Sequence, residues 1–149
     1  MNPGGLFHVG GVEEKKRPVG ARIALIAAGG IAIAFGVATV VSGGQALFGG
    51  EAARAAVGNA VAFVLWFNFL AGFAYVAAGI GLLMRWRWAT PLSAAILAAT
   101  LIVFAAFGLH VLAGGAYEMR TVAAMTLRSA AWIVIAGVAY RGLGWRSGA

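Results

Sequence analysis

From Ile23 to Val41 the chain runs through nineteen residues with no charge and a single hydroxyl, Thr39. Laid out as helix at 1.5 Å per residue, such a run reaches about 28 Å, close to the thickness of a bilayer's hydrocarbon. In hydrocarbon every backbone N–H and C=O must be satisfied within the protein, so a single run of this kind has to be helical. Three more apolar stretches follow, at about 59–84, 91–113 and 121–140. With the first, at about 22–42, they predict an all-α membrane protein. The expected architecture is a four-transmembrane-helix bundle forming one domain over 19–149, preceded by a flexible cytoplasmic tail over 1–18.

Composition agrees with this and excludes other classes. Of the 149 residues 62% are hydrophobic and 10% charged, whereas a soluble domain carries about 25% charged residues. A chain this poor in charge cannot cover its own surface, so the lipid bilayer is its expected solvent and first partner. A net charge of +7 would suggest nucleic acid in a soluble protein. Here the basic residues sit at the ends of the apolar segments, which is a topology signal, and no nucleic-acid partner is expected. With both termini inside, Lys15, Lys16, Arg17, Arg22, Arg85, Arg87, Arg141 and Arg146 fall on the inner side, against Arg54 and Arg120 outside. That split predicts an N-in/C-in multi-pass protein of the cell's inner (plasma) membrane. A basic stretch before an apolar run also opens a signal peptide. The first run is longer than a signal's core of about 7–15 residues and no small-x-small cleavage site follows, so it is read as a retained span. Cysteine is absent, which removes disulfides and thiolate chemistry.

Within the spans, small residues mark close-packing faces. Ala28, Ala32 and Gly36 form a small-xxx-small stripe on the first. Asn68, Gly72, Tyr75 and Gly79 fall along one side of the second, leaving Phe63, Trp66, Phe67 and Phe73 for lipid or a larger partner. The loop from Ser42 to Gly58 contains Glu51-Ala-Ala-Arg-Ala-Ala, which suits a short helix on the membrane surface. Arg85-Trp86-Arg87-Trp88 reads as a tight inner loop whose rings and guanidinium groups anchor at the headgroup level. Thr90-Pro91 is expected to cap and start the third span, and Gly114-Gly115 to stop it. No internal repeat of the inverted-transporter kind is visible.

The chemistry concentrates in the hairpin from Phe107 to Arg128, which holds the one histidine outside the N-terminal tail. By position along the spans, Arg128 lies about 10 Å, His110 about 6 Å and Asn68 about 13 Å inside the outer boundary. Glu118 and Arg120 stand at the rim. At 100° per residue Glu118, Thr121, Met125, Arg128 and Trp132 share one stripe of the fourth span. An arginine facing lipid costs about 2.5–3.5 kcal/mol, so Arg128 is expected to face the bundle, water or an acid. Asn68, Tyr75, His110, Glu118, Met125 and Arg128 therefore form a candidate ligand-binding set, suited to an anionic or quinone-like carbonyl ligand. A purely structural alternative has Arg128 snorkelling to Glu118, His110 closing a helix end and Asn68 joining helices.

Sharper chemistries find less support. A haem or copper site would need a second intramembrane ligand beside His110, for which only Met119 or Met125 is at hand. Ser93, Ser129, Thr121 and Thr126 are expected to bond the helix backbone rather than act as nucleophiles. All four Glu lie at segment ends, and phosphate loops and dinucleotide or metalloprotease motifs are missing. No cofactor, metal or catalytic residue is predicted. Two functional expectations follow. The first is a non-enzymatic accessory or assembly subunit of a larger membrane complex, partnered by other membrane subunits or by its own copies. The second is an outward-facing small-molecule binding protein.

Overall fold

The computed structural model describes residues 19–144; the N-terminal tail, with His8 and the Glu13–Arg17 charge cluster, and the final Trp145 and Arg146 lie outside the described residues. Five helices and no strand are found among the described residues: α1 (Val19–Phe48), α2 (Gly50–Val57), α3 (Ala62–Leu83), α4 (Ala89–Leu112) and α5 (Met119–Leu143). All but the short α2 are long and apolar enough to cross a membrane. They run up and down in chain order. One end of the bundle carries α2 and the α4–α5 hairpin; the other carries the Arg85–Trp88 turn.

Lipid tails are as apolar as leucine, so helices in hydrocarbon associate through close packing and hydrogen bonds rather than through escape from water. The tightest packing joins α1 to α3. Glycines recur at seven-residue spacing on both, Gly29 and Gly36 against Gly79 and Gly72. A β-carbon on Gly36 would lie 2.8 Å from the carbonyl oxygen of Gly72, and one on Gly79 would lie 2.7 Å from that of Gly29. Only glycine permits this approach. Ala28 and Ala32, expected to line a small-residue stripe with Gly36, are indeed buried, but in the main core with Leu25, Tyr75, Leu82, Ile96, Trp132 and Ile135. A second, smaller cluster of Val64, Phe107 and Met125 lies toward the hairpin end.

The helix ends show where tertiary packing overrides local signals. The loop anticipated from Ser42 is helical as far as Phe48. Gly43 packs on Phe69, and the Phe48 ring meets Trp66 and Phe69 edge-on at 5.9 and 5.6 Å, which holds the extra turns in place despite Gly43-Gly44. The surface helix expected around Glu51–Arg54 is α2. Thr90 does not cap α4, in contrast to the expectation. The helix begins at Ala89, two residues earlier than expected, and the Thr90 hydroxyl donates instead to the carbonyl of Ala139 on α5 at 3.3 Å. Pro91 then stands third in the helix, where a missing N–H is still one of the unpaired donors. Gly114-Gly115 does stop α4. Gly114 takes φ 83°, and the N–H groups of Gly114 and Gly115 donate to Val111 and His110 at 3.0 Å each. That is the paired closure of a Schellman motif. The same closure ends α3 with Arg85 in the left-handed position, φ 56°, where glycine is the usual choice.

Candidate functional site

Arg128 lies between two and three turns inside α5. Its neighbours on the buried face, Met125 and Trp132, are three residues before it and four after, so the helix aims all three into the bundle. The residue is 6% exposed. Its Nη1 donates to Oδ1 of Asn68 on α3 and to Sδ of Met125 at 3.3 Å. Its plane carbon stands 5.7 Å from the centroid of the Phe35 ring of α1, a cation–π contact. The cation therefore has an amide, a thioether and an aromatic face around it, and its Nε is buried with no hydrogen-bond partner. Glu118, the acid expected as its alternative mate, is used elsewhere: its Oε1 accepts the backbone N–H of Asn59 at 2.9 Å.

Below the guanidinium the interior stays polar. Phe35 stacks on Tyr75 at 6.0 Å, and Tyr75 packs on Trp132 at 4.7 Å. The Tyr75 hydroxyl lies against Thr100 of α4 and the Trp132 indole, and within electrostatic reach of Arg128. Tyr75, Thr100 and Trp132 are completely buried, and their hydroxyl and indole N–H groups have one another as polar neighbours, with no well-aligned hydrogen bond to any other group among the described residues. Ser93, one further heptad along α4, is likewise buried, with no hydrogen-bond partner among the described residues.

Above the guanidinium, toward the hairpin end, a cleft of about 320 Å³ opens between α1, α3 and α5. Asn68, Ser42, Thr121, Glu118 and Arg120 supply its polar wall, and Val61, Val64, Leu65 and Ala124 much of the rest. With the Asn68 oxygen turned to Arg128, the amide N–H groups are what this residue can offer the cleft. The rim is tied down at two points. Arg120 Nη2 donates to the carbonyl of Ala56 at 2.8 Å, and Glu118 holds Asn59. Between those two points Gly58 turns the chain at φ 59°, and a β-carbon there would run into the Glu118 carboxylate.

Four of the six predicted site residues thus meet in one connected group: Asn68, Met125 and Arg128 through hydrogen bonds, and Tyr75 through Phe35 and Trp132. Glu118 joins them as a wall of the same cleft. His110 stands apart, half-buried at the end of α4. Its Nε2 is 3.2 Å from the carbonyl of Ala116, its ring meets Phe63 edge-on at 6.5 Å, and Gly115 lies hard against it. It shapes the hairpin that presents Glu118. Of the hydroxyls expected to bond the helix backbone, Ser129 and Thr126 do so, to Met125 and Val122 at 2.8 and 2.9 Å. Ser93 does not. Phe35, Ser93 and Thr100 were not read as site residues from the sequence. Ser93, Thr100 and Phe107 are seven apart and so share one face of α4, a signal that was available; Phe35 carried none. Among the described residues there is no group of three His, Cys, Asp or Glu able to hold a metal ion. Comparison with protein-family models, curated protein sequences and solved structures gives no match, so the site is read from its own chemistry.

Proposed function

We propose that this chain is a multi-pass protein of the cell's inner membrane, both termini cytoplasmic, that binds a small anionic or carbonyl-bearing molecule in its outward-facing cleft. The observation that carries the reading is Arg128, a buried residue with a neutral amide as its one oxygen partner among the described residues. A cation held away from water without an acid is stabilised by whatever brings it an acceptor, and the adjoining cleft is where such a molecule would enter. The volume is at the lower end of ligand pockets, which suits a small molecule. Orientation rests on the eight-to-two split of basic residues between the two sides. The test is native mass spectrometry of protein gently extracted from its own membrane. The wild type should carry a small molecule, and Arg128→Leu should lose it while still inserting and folding. If the wild type carries none, or Arg128→Leu loses stability without selective loss of a ligand, the reading fails.

A second reading, an accessory or assembly subunit of a larger membrane complex, has its own support. Phe48, Trp66, Phe69 and Phe73 pack edge-to-face in a continuous row along one side of the bundle, and Phe48, Trp66 and Phe73 are exposed. Rigid aromatic surface of this kind suits a partner helix as well as lipid. Stoichiometric partner chains should then accompany the protein through mild detergent extraction, and a monodisperse free monomer would count against it.

A further inference from the structure

We propose that the end of the bundle carrying the Arg85–Trp88 turn is a docking surface for an anionic phospholipid, whose phosphate is held by Arg85 and Arg87 with Arg22 and Arg141 beside them. The proposal stands apart from the outer cleft and from any ligand there.

Among the described residues the two ends of the bundle are charged differently. Around α2 and the hairpin, Glu51 and Glu118 balance Arg54 and Arg120. The opposite end has four arginines and no acid, and all four are exposed. Their guanidinium groups have no hydrogen bond or ion pair among the described residues. Packing gathers them from remote parts of the chain. The start of α1 meets the end of α5 where a β-carbon on Gly142 would stand 2.8 Å from Cγ of Leu25. Arg141 adjoins that glycine, and Arg22 lies one helical turn before that leucine. The bond from Thr90 to Ala139 ties the start of α4 to the same part of α5.

An excess of cations at one end is the general topology signal, and a solvated arginine at almost any position there would supply it. Arg85 is placed more expensively. Among the described residues it is the one non-glycine with positive φ, at 56°, in a closure that glycine would make without strain. A strained backbone that presents an exposed cation points to a use for the cation. The turn around it is stiff. The N–H groups of Arg85 and Trp86 donate to Leu82 and Gly81 at 3.1 and 2.8 Å, and that of Ala89 donates to Trp86 at 3.1 Å. The Trp88 ring lies on Gly81, where a β-carbon would stand 2.9 Å from it, and Trp86 packs on Trp88 at 5.6 Å. Both indoles are roughly half exposed. Indoles settle at the headgroup level, which sets the two flanking guanidinium groups at the depth of the phosphates. A guanidinium fork fits phosphate oxygens two at a time, and a stiff turn loses little freedom in making the contact.

The surface beside the arginines selects a lipid over a soluble anion. Ile23 and Met84, next to Arg22 and Arg85 on the membrane side, are exposed, so acyl chains find apolar surface directly below the phosphate. A zwitterionic headgroup would bring its own cation against the arginines, whereas an anionic one brings none.

Thermal unfolding of the full chain in mild detergent tests this, with phosphatidylglycerol, phosphatidylcholine or inorganic phosphate added and bound lipid counted by native mass spectrometry. Phosphatidylglycerol should raise Tm and bind about tenfold or more tighter than phosphatidylcholine, a preference that shrinks as salt is added. Arg85→Gly suits the left-handed turn, so it should fold and, without lipid, melt close to the wild type. It should nonetheless weaken phosphatidylglycerol about fivefold, and Arg87→Ala should do the same. Equal effects of the two lipids on the wild type would mean that these arginines serve orientation alone, and would overturn the proposal. A preference left unchanged by both substitutions would overturn it too. Inorganic phosphate reproducing the rise in Tm would make this a site for a soluble anion, against the assignment to lipid.

Discussion

Between α1 and α3 the two backbones touch through facing glycines; across the bundle's diagonal, α3 and α5 are separated by tyrosine, tryptophan and arginine. The first region is closely packed and self-satisfied. Gly29, Gly36, Gly72 and Gly79 bring no polar side chain, and the helix backbones bond internally. The second holds two hydroxyls, an indole and a guanidinium whose Nε lacks a partner among the described residues. In hydrocarbon the first arrangement is what holds helices together, since close contact replaces the hydrophobic effect. The second is what such a protein would shed if stability were its only requirement. Close glycine contacts thus join α1 to α3, while the buried polar groups gather where α3, α4 and α5 face one another.

The contrast can be broken most severely at the seam. Gly72→Leu would drive a side chain into the backbone of α1, where even a β-carbon would stand 3.0 Å from the Gly36 carbonyl oxygen. A loss on the order of 3 kcal/mol or more is expected, read as a collapse of Tm or of folded yield in detergent. An unchanged Tm would mean that the seam is not what holds the bundle.

The polar side should respond in two directions at one position. Asn68→Leu strands the Arg128 guanidinium without an oxygen partner and should cost about 2 kcal/mol, the scale of a hydrogen bond to a charged group. Asn68→Asp keeps the shape, supplies a counter-charge and should raise Tm above the wild type. It should also abolish binding of an anion, because the aspartate occupies the cation first. A variant both less stable and fully competent to bind would contradict the role given to Arg128.

The smallest effect belongs to the rim. Arg120→Ala frees the carbonyl of Ala56 and loosens α2 over the cleft, with little change in overall Tm. Hydrogen exchange should rise over residues 50–57 alone. Ligand dissociation should quicken if α2 helps to close the cleft.

Much of this division could be read in the residues themselves. The spans were visible because uninterrupted apolar length admits one backbone solution in lipid, and the ends at Gly114-Gly115 were visible because turn chemistry is local. Arg128 and Asn68 stood out because a polar side chain inside such a run has few tolerable surroundings. The reach of α1 through Gly43-Gly44 was not legible, since Phe69 and Trp66, which hold those turns, come from another helix. Thr90 misled for the same reason. Its local signal is a cap, but a carbonyl on α5 lay closer to hand.

Sequence alone determined that this chain forms helices of membrane-crossing length and that its few charged side chains are confined to the tails, the loops, the segment ends and one hairpin. Both follow from the cost of bare backbone and charge in hydrocarbon, which is paid residue by residue. Only the tertiary structure decided which partner each polar group received: Asn68 rather than Glu118 for Arg128, a loop N–H for Glu118, a hairpin carbonyl for His110. A hydrogen bond depends on positions to within a few tenths of an ångström, and those are set by how helices and loops from distant parts of the chain pack together.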